Sequence, residues 1–266
     1  MRIALGIEYD GSAFRGWQTQ PGDRTVQDAL EAALARIAGV PINLVCAGRT
    51  DAGVHATGQV AHFDSPVQRP LTAWVRGVNT FLPEAVSVLW AQPVADDFHA
   101  RFSAFGRRYR YILLNRAQRP GVGQGRVGWD HHALDVAKMQ QAAELIRGEH
   151  DFSAFRAAQC QAKTPVKTMR EVSIRRLGEL IVFEFEASAF LHHMVRNLVG
   201  SLVYIGQGRK PVAWMSELLA MKDRKLSAPT FSAAGLYLVG VRYETRWGLP
   251  ETDDTMPLGL EGVLRG

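Results

Sequence analysis

The sequence predicts a mixed α+β protein built from two tandem β-α-β-β-α-β halves whose antiparallel sheets are joined. Two observations carry that expectation. Strand-like alternation and helix-like periodicity follow one another in the same order, and they do so twice. Of the 266 residues, 47% are hydrophobic and 21% charged, the balance of a chain that buries a core.

The first half opens with Ile3, Leu5, Ile7 and Tyr9 on one face of a strand, stopped by the turn pair Asp10-Gly11. Thr25 then caps a helix with Asp28 three residues on; Val26, Leu30, Ala33, Leu34 and Ile37 form its apolar stripe, and Gly39 ends it. Ile42, Leu44 and Cys46 begin a second strand that runs into the turn Gly48–Gly53. A third strand is expected around Gln59–Phe63, a helix over Leu71–Leu82 and a fourth strand over Val86–Trp90.

The second half repeats the order. Arg107–Leu113 alternates as a strand, and Asp135–Arg147 reads as a capped helix. Met169–Arg176 and Leu180–Ala187 form a hairpin around Leu177-Gly178-Glu179. Phe190–Ile205 is a strongly apolar helix, and Leu236–Tyr243 is the last strand. The halves are expected at 1–104 and 105–245, with 246–266 a loosely packed tail. Helices on one face of each antiparallel sheet would leave the other face to a ligand.

Several functions are excluded. Cys46 and Cys160 are the only cysteines, far apart, so neither a disulfide framework nor a zinc–thiolate site is expected. The pairs His131-His132 and His192-His193 are sequence neighbours whose side chains should diverge, so no metal site is expected. No phosphate loop and no G-x-G-x-x-G after a strand is present, which argues against a nucleotide cofactor. The amino terminus alternates rather than forming a signal peptide, and no apolar run reaches the about 20 residues of a membrane helix. A reducing, cytoplasmic location follows as an expectation. The net charge of +5 suits a polyanionic partner without establishing one.

Three stretches can carry chemistry. CAGRTDAGVHATGQV (46–60) presents one carboxylate, Asp51, in a glycine-bounded turn beside Arg49. Asp51 would equally serve as a turn cap. RFSAFGRRYRYILLN (101–115) interleaves Arg107, Arg108 and Arg110 with Tyr109 and Tyr111, suiting phosphates and unstacked bases, or else a strand with one solvated basic face. FLHHMVRNLVGS (190–201) sets Arg196 beside an apolar stripe, where it would pair with a carboxylate or extend to the surface.

At these residues the chain resembles the bacterial tRNA pseudouridine synthases that modify tRNA positions 38 to 40. YDGSAFRGWQ (9–18), AGRTDAGVHATGQV (47–60), DDFHARFSA (96–104), RRYRYILLN (107–115), HDFSAFRA (150–157), FLHHMVRNLVGS (190–201) and GLYLVGVRYE (235–244) carry the resemblance in order. It implies the pseudouridine synthase fold, no cofactor, and a homodimer that binds tRNA. It implies Asp51 as the catalytic aspartate and Arg49 as its partner or the displacer of the target base. It further implies Tyr109 packed on that base, Arg196 as the cation opposite the aspartate, and Leu236 lining the pocket floor. Arg107, Arg108 and Arg110 would hold the RNA backbone. The competing readings are a non-catalytic tRNA-binding module, a methyltransferase and a glycosidase-like hydrolase.

Overall fold

The computed structural model describes residues 1–250. Among the described residues there are ten strands and four α-helices, and the strand pairing is mostly antiparallel. The described residues divide into two compact units, 1–105 together with 237–250, and Gly106–Leu236.

The first unit contains β1 (Arg2–Tyr9), α1 (Val26–Ala38), β2 (Val45–Cys46), β3 (His55–Asp64), a π-helical turn (Ala73–Gly77) and β4 (Val86–Val94). β1 lies between β3 and β4 and runs antiparallel to both, with Leu5 opposite Ala61 on one side and Ala91 on the other. β2 adds to the free edge of β3 through Val45 opposite His62. This is the arrangement that the β-α-β-β-α-β order predicts. Thr25 caps α1 by accepting from the Asp28 N–H, and Gly39 closes it at φ 76°. The expected helix after β3 is interrupted by the π turn, which seats Trp74, fully buried, against Phe63 at 5.1 Å.

The second unit contains β5 (Ala104–Asn115), β6 (Gly128–Asp130), α2 (Val136–Glu144), β7 (Gly148–Asp151), β8 (Val166–Leu177), β9 (Leu180–Ala187), α3 (Met194–Gly206) and α4 (Trp214–Met221). β9 lies between β5 and β8, antiparallel to both, and β7 extends the β8 edge. The hairpin turns where expected, with Leu177 opposite Leu180 and Gly178 at φ 59°. Short elements β6, β7 and α4 have no counterpart in the expected order; three or four residues are too few to show a period. The apolar helix begins at Met194 rather than Phe190, because His193 takes a left-handed φ of 62°. Phe190 and Leu191 are apolar because they pack in the preceding turn.

The last strand, β10 (Leu236–Tyr243), has the expected bounds. From Tyr237 it belongs with the first unit, where it pairs in parallel with β3 through Tyr237 opposite His55 and Leu238 opposite Ala56. The face of β1 that carries Ala4 is not bare. Ala4, Val60, Phe98, Ala100, Val241 and Trp247 form a buried cluster there. Trp247 thus packs at the start of the stretch expected to be loose, and the Gln92 amide donates to the Gly248 carbonyl at 2.7 Å. From 251 on, that stretch lies outside the described residues. Among the described residues no helix is long and apolar enough to cross a membrane.

Candidate active site

The turn that carries Arg49 and Asp51 joins β2 to β3 in the first unit, and the segment after β1 holds it. The hydroxyls of Tyr9 and Thr50 lie 2.7 Å apart in a buried hydrogen bond. Trp17 N–H donates to the Thr50 carbonyl at 3.0 Å, and Gly53 N–H donates to the Phe14 carbonyl at 3.3 Å. The buried Gln59 amide donates to the Gly48 carbonyl at 2.7 Å. Within the turn, Val54 N–H donates to the Asp51 carbonyl at 3.1 Å.

Gly16 is the tightest element of this cradle. Its φ is +94°, and a Cβ there would stand 2.6 Å from the Thr50 carbonyl oxygen and 3.1 Å from the Ala52 nitrogen. Both the conformation and the contact demand glycine. A Cβ on Gly11 would meet the Val54 carbonyl even more closely, at 1.9 Å. The stretch 9–18 is therefore a mould for the aspartate turn. Sequence reasoning did not give it that role; the signal was there in Gly11, Gly16 and two aromatics between a strand and a helix.

The result is a fixed backbone with a half-open rim. Thr50 is buried, Asp51 half-buried and Arg49 exposed. No hydrogen bond or ion pair holds the Arg49 guanidinium among the described residues, so it stands available to a ligand.

The remaining expected site residues lie in the second unit. Tyr109 on β5 is 8% exposed and meets Phe190 edge-on at 5.0 Å. Arg196 on α3 is half-buried; its Nε donates to the Phe231 carbonyl at 2.8 Å, and the Phe231 N–H returns a bond to its carbonyl at 3.3 Å. The segment after Phe231 is pinned to β5. Tyr111 Oη donates to the Ser232 carbonyl at 2.9 Å, and Ile112 N–H donates to the Gly235 carbonyl at 2.9 Å. This sets Leu236, 4% exposed, at the start of β10.

Arg224 was not anticipated. Its guanidinium donates to Ser227 Oγ (2.7 Å), the Ala228 carbonyl (2.9 Å), Asn197 Oδ1 (3.0 Å) and Thr230 Oγ1 (3.0 Å). Burial lowers its basicity. Asn197 adjoins Arg196 on α3 and Thr230 adjoins Phe231, so Arg224 ties together both ends of the Arg196–Phe231 contact.

The basic strand divides by face. Arg108 and Arg110 project with the cross-strand residue Glu184, which is 4% exposed. Arg110 Nε donates to Glu184 at 3.0 Å, and Arg108 and Arg175 reach the same carboxylate at 3.4 and 2.9 Å. Burial would raise the Glu184 carboxyl, but Arg110 foremost, with Arg108 and Arg175, holds it below the usual carboxylate range. Arg110, expected to hold RNA backbone, is only 2% exposed and is ion-paired with Glu184. Arg107, 9% exposed, donates to the Ser188 carbonyl at 3.3 Å.

Comparison with known proteins gives the family. A family model described as tRNA pseudouridine synthase matches residues 6–103 and 142–244. The chain is 66% identical over 265 residues to tRNA pseudouridine synthase A of Dechloromonas aromatica, covering 100% of both chains. It is 61% identical over 250 residues to tRNA pseudouridine synthase A of Aromatoleum aromaticum, covering 94% of this chain and 95% of the relative. Among solved structures, the archaeal box H/ACA sRNP Nop10-Cbf5 complex aligns over 85% of this chain and 59% of that chain at 11% identity and TM-score 0.36, too slight a likeness to support a conclusion. The chain belongs to the tRNA pseudouridine synthase family.

Proposed function

We propose that this chain isomerises uridine to pseudouridine at positions 38, 39 and/or 40 of the tRNA anticodon stem-loop, with Asp51 as the essential carboxylate. Conversion of tRNA uridine to pseudouridine is the reaction of its family. The finer reading rests on one observation: a half-buried carboxylate on a turn whose backbone is bonded on three sides, beside an arginine whose guanidinium no hydrogen bond or ion pair holds among the described residues.

The chemistry is self-contained. The bond from uracil N1 to the ribose anomeric carbon breaks, the base turns, and C5 bonds to that carbon. The hydrogen on C5 is lost and N1 gains one, so nothing is oxidised, reduced or hydrolysed overall. A single carboxylate can act by attacking the sugar, adding to the base, or removing a sugar proton. The target base must leave the stack, at a cost of roughly a few kcal/mol. Arg49 filling the vacated space and Tyr109 packing on the base would offset it. Arg196 is assigned as the cation that keeps Asp51 ionised, and Leu236 as the apolar floor under the base. The working form is read as a homodimer acting in the cytoplasm.

Reacting the purified chain with an unmodified tRNA transcript, with nothing else added, tests this reading. Pseudouridine within positions 38 to 40 is expected. Binding without product would favour a non-catalytic module, and released uracil a hydrolase.

A further inference from the structure

Asp130, His131 and His132 end β6, and we propose that they bind one divalent transition-metal ion, zinc by preference, which fastens β6 to the end of α3. Sequence spacing argues against it, because neighbouring side chains on a strand diverge. The strand stops at Asp130, however, and the chain bends at His132. The two imidazole rings therefore lie 3.9 Å apart, tilted by 34°. One donor atom from each of the three residues lies within 4.8 Å of the other two. Asp130 Oδ1 and His132 Nδ1 are 3.0 Å apart. Two ligands of a tetrahedral zinc, each about 2.0–2.1 Å from it, stand roughly 3.3 Å apart. Small rotations of exposed side chains would complete the shell.

Two further observations point to a cation. The first is the carboxylate itself. Asp130 is 9% exposed, yet no lysine or arginine pairs with it among the described residues. Its partners are the His132 N–H at 2.8 Å, the His132 ring, and Gln207 Nε2 at 2.7 Å. A nearly buried carboxylate without a fixed positive charge is costly. The second is Gln207, the residue that follows α3. Its Oε1 is buried and has no hydrogen-bond partner. A half-turn of that amide exchanges oxygen for nitrogen with little change of shape. Without an ion, Oε1 would then oppose the carboxylate; with one, it becomes the fourth ligand of the metal, beside one carboxylate oxygen and two imidazole nitrogens.

The surroundings are those of a held ligand set. Asn115 Nδ2 donates to the carbonyls of Asp130 at 3.0 Å and His132 at 2.7 Å, fixing the bend from below. Both histidines are exposed, so an ion enters directly from solvent. Two imidazoles and one carboxylate suit zinc or its neighbours rather than magnesium or calcium, which take oxygen shells. The ion is structural and takes no part in the isomerisation.

The test uses the full-length chain with any affinity tag removed, stripped with chelator and titrated with cobalt by visible absorption and with zinc by calorimetry. One ion per chain is expected, with a higher thermal midpoint on zinc binding. His131→Ala and His132→Ala should each weaken binding at least about tenfold, and Gln207→Leu, which removes the fourth ligand together with the support of the carboxylate, by about 10–100-fold. His150→Ala, at a half-buried histidine elsewhere in the same unit, should leave it unchanged. Absence of uptake at sub-millimolar zinc, or equal uptake by a His131→Ala/His132→Ala double variant, overturns the proposal. Because both side chains are exposed, that double variant retains the fold.

Discussion

Thr50 and Asp51 are adjacent yet live in opposite surroundings, and the difference is what makes the second useful. Thr50 is 7% exposed and spends its hydroxyl on Tyr9. Asp51 is left at the half-open rim. Tyr9→Phe should cost about 1 kcal/mol of stability, with a fall in turnover if Thr50 positions its neighbour; unchanged turnover would show that the backbone bonds suffice. On the second unit, Tyr109→Phe should retain more activity than Tyr109→Ala under the proposed packing of the ring on the base; equal loss in both would point to the hydroxyl instead. Arg224 acts through Arg196 and Phe231. Arg224→Lys keeps the charge but cannot reproduce four separate hydrogen bonds. A lower kcat with little change in KM for tRNA is expected, and Arg224→Gln should be worse. A loss confined to KM would assign Arg224 to RNA binding instead. The glycine-bounded turn that carries Asp51 was legible in the sequence. Arg224 was not, because its partners are neutral groups far along the chain, with no charge pattern to mark them.

At the scale of elements, the caps and turns were the most readable features. Thr25, Asp28, Gly39 and Gly178 each impose a local geometry that needs no distant partner. Phe190–His193 misled because apolar spacing cannot distinguish a helix turn from a loop that buries Phe190 and Leu191. The arginine-tyrosine strand misled in part for a related reason. Alternation assigns residues to faces, but only the strand partner says what each face meets, and Glu184 on β9 lies 74 residues from Arg110. The mould around the aspartate turn gives the sharpest test at this scale. Gly16→Ala should destabilise the chain by about 1–3 kcal/mol and lower turnover of the folded protein. Gly39→Ala is its control. That glycine also has positive φ, +76°, but nothing lies within 4 Å of an added Cβ. It should lose stability alone. Equal turnover in both variants would detach the 9–18 segment from catalysis.

Across the whole molecule, stability and function separate by pH and by substitution. His62 is buried, its Nδ1 accepting from the Ala100 N–H at 3.2 Å. Burial first, then His99 and Arg2, with Asp64 opposing them, pushes it down from 6.5 to about 4. The unfolded chain takes up that proton earlier, so the stability held above pH 6.5 is lost as pH falls through about 4. The loss should amount to about 1–3 kcal/mol, and His62→Asn should flatten it in urea unfolding. Glu184 is held below its ordinary 4.5, so the stability it contributes above that pH is lost as pH falls through its lowered value. Glu184→Gln would leave Arg110 buried without its carboxylate, at about 3–5 kcal/mol. The most direct measurement compares wild type with Asp51→Asn for both tRNA binding and pseudouridine formed in a single turnover. Binding within a few-fold of wild type and no detectable product are predicted. Pseudouridine from the asparagine variant would contradict the assignment of the bond exchange to this carboxylate.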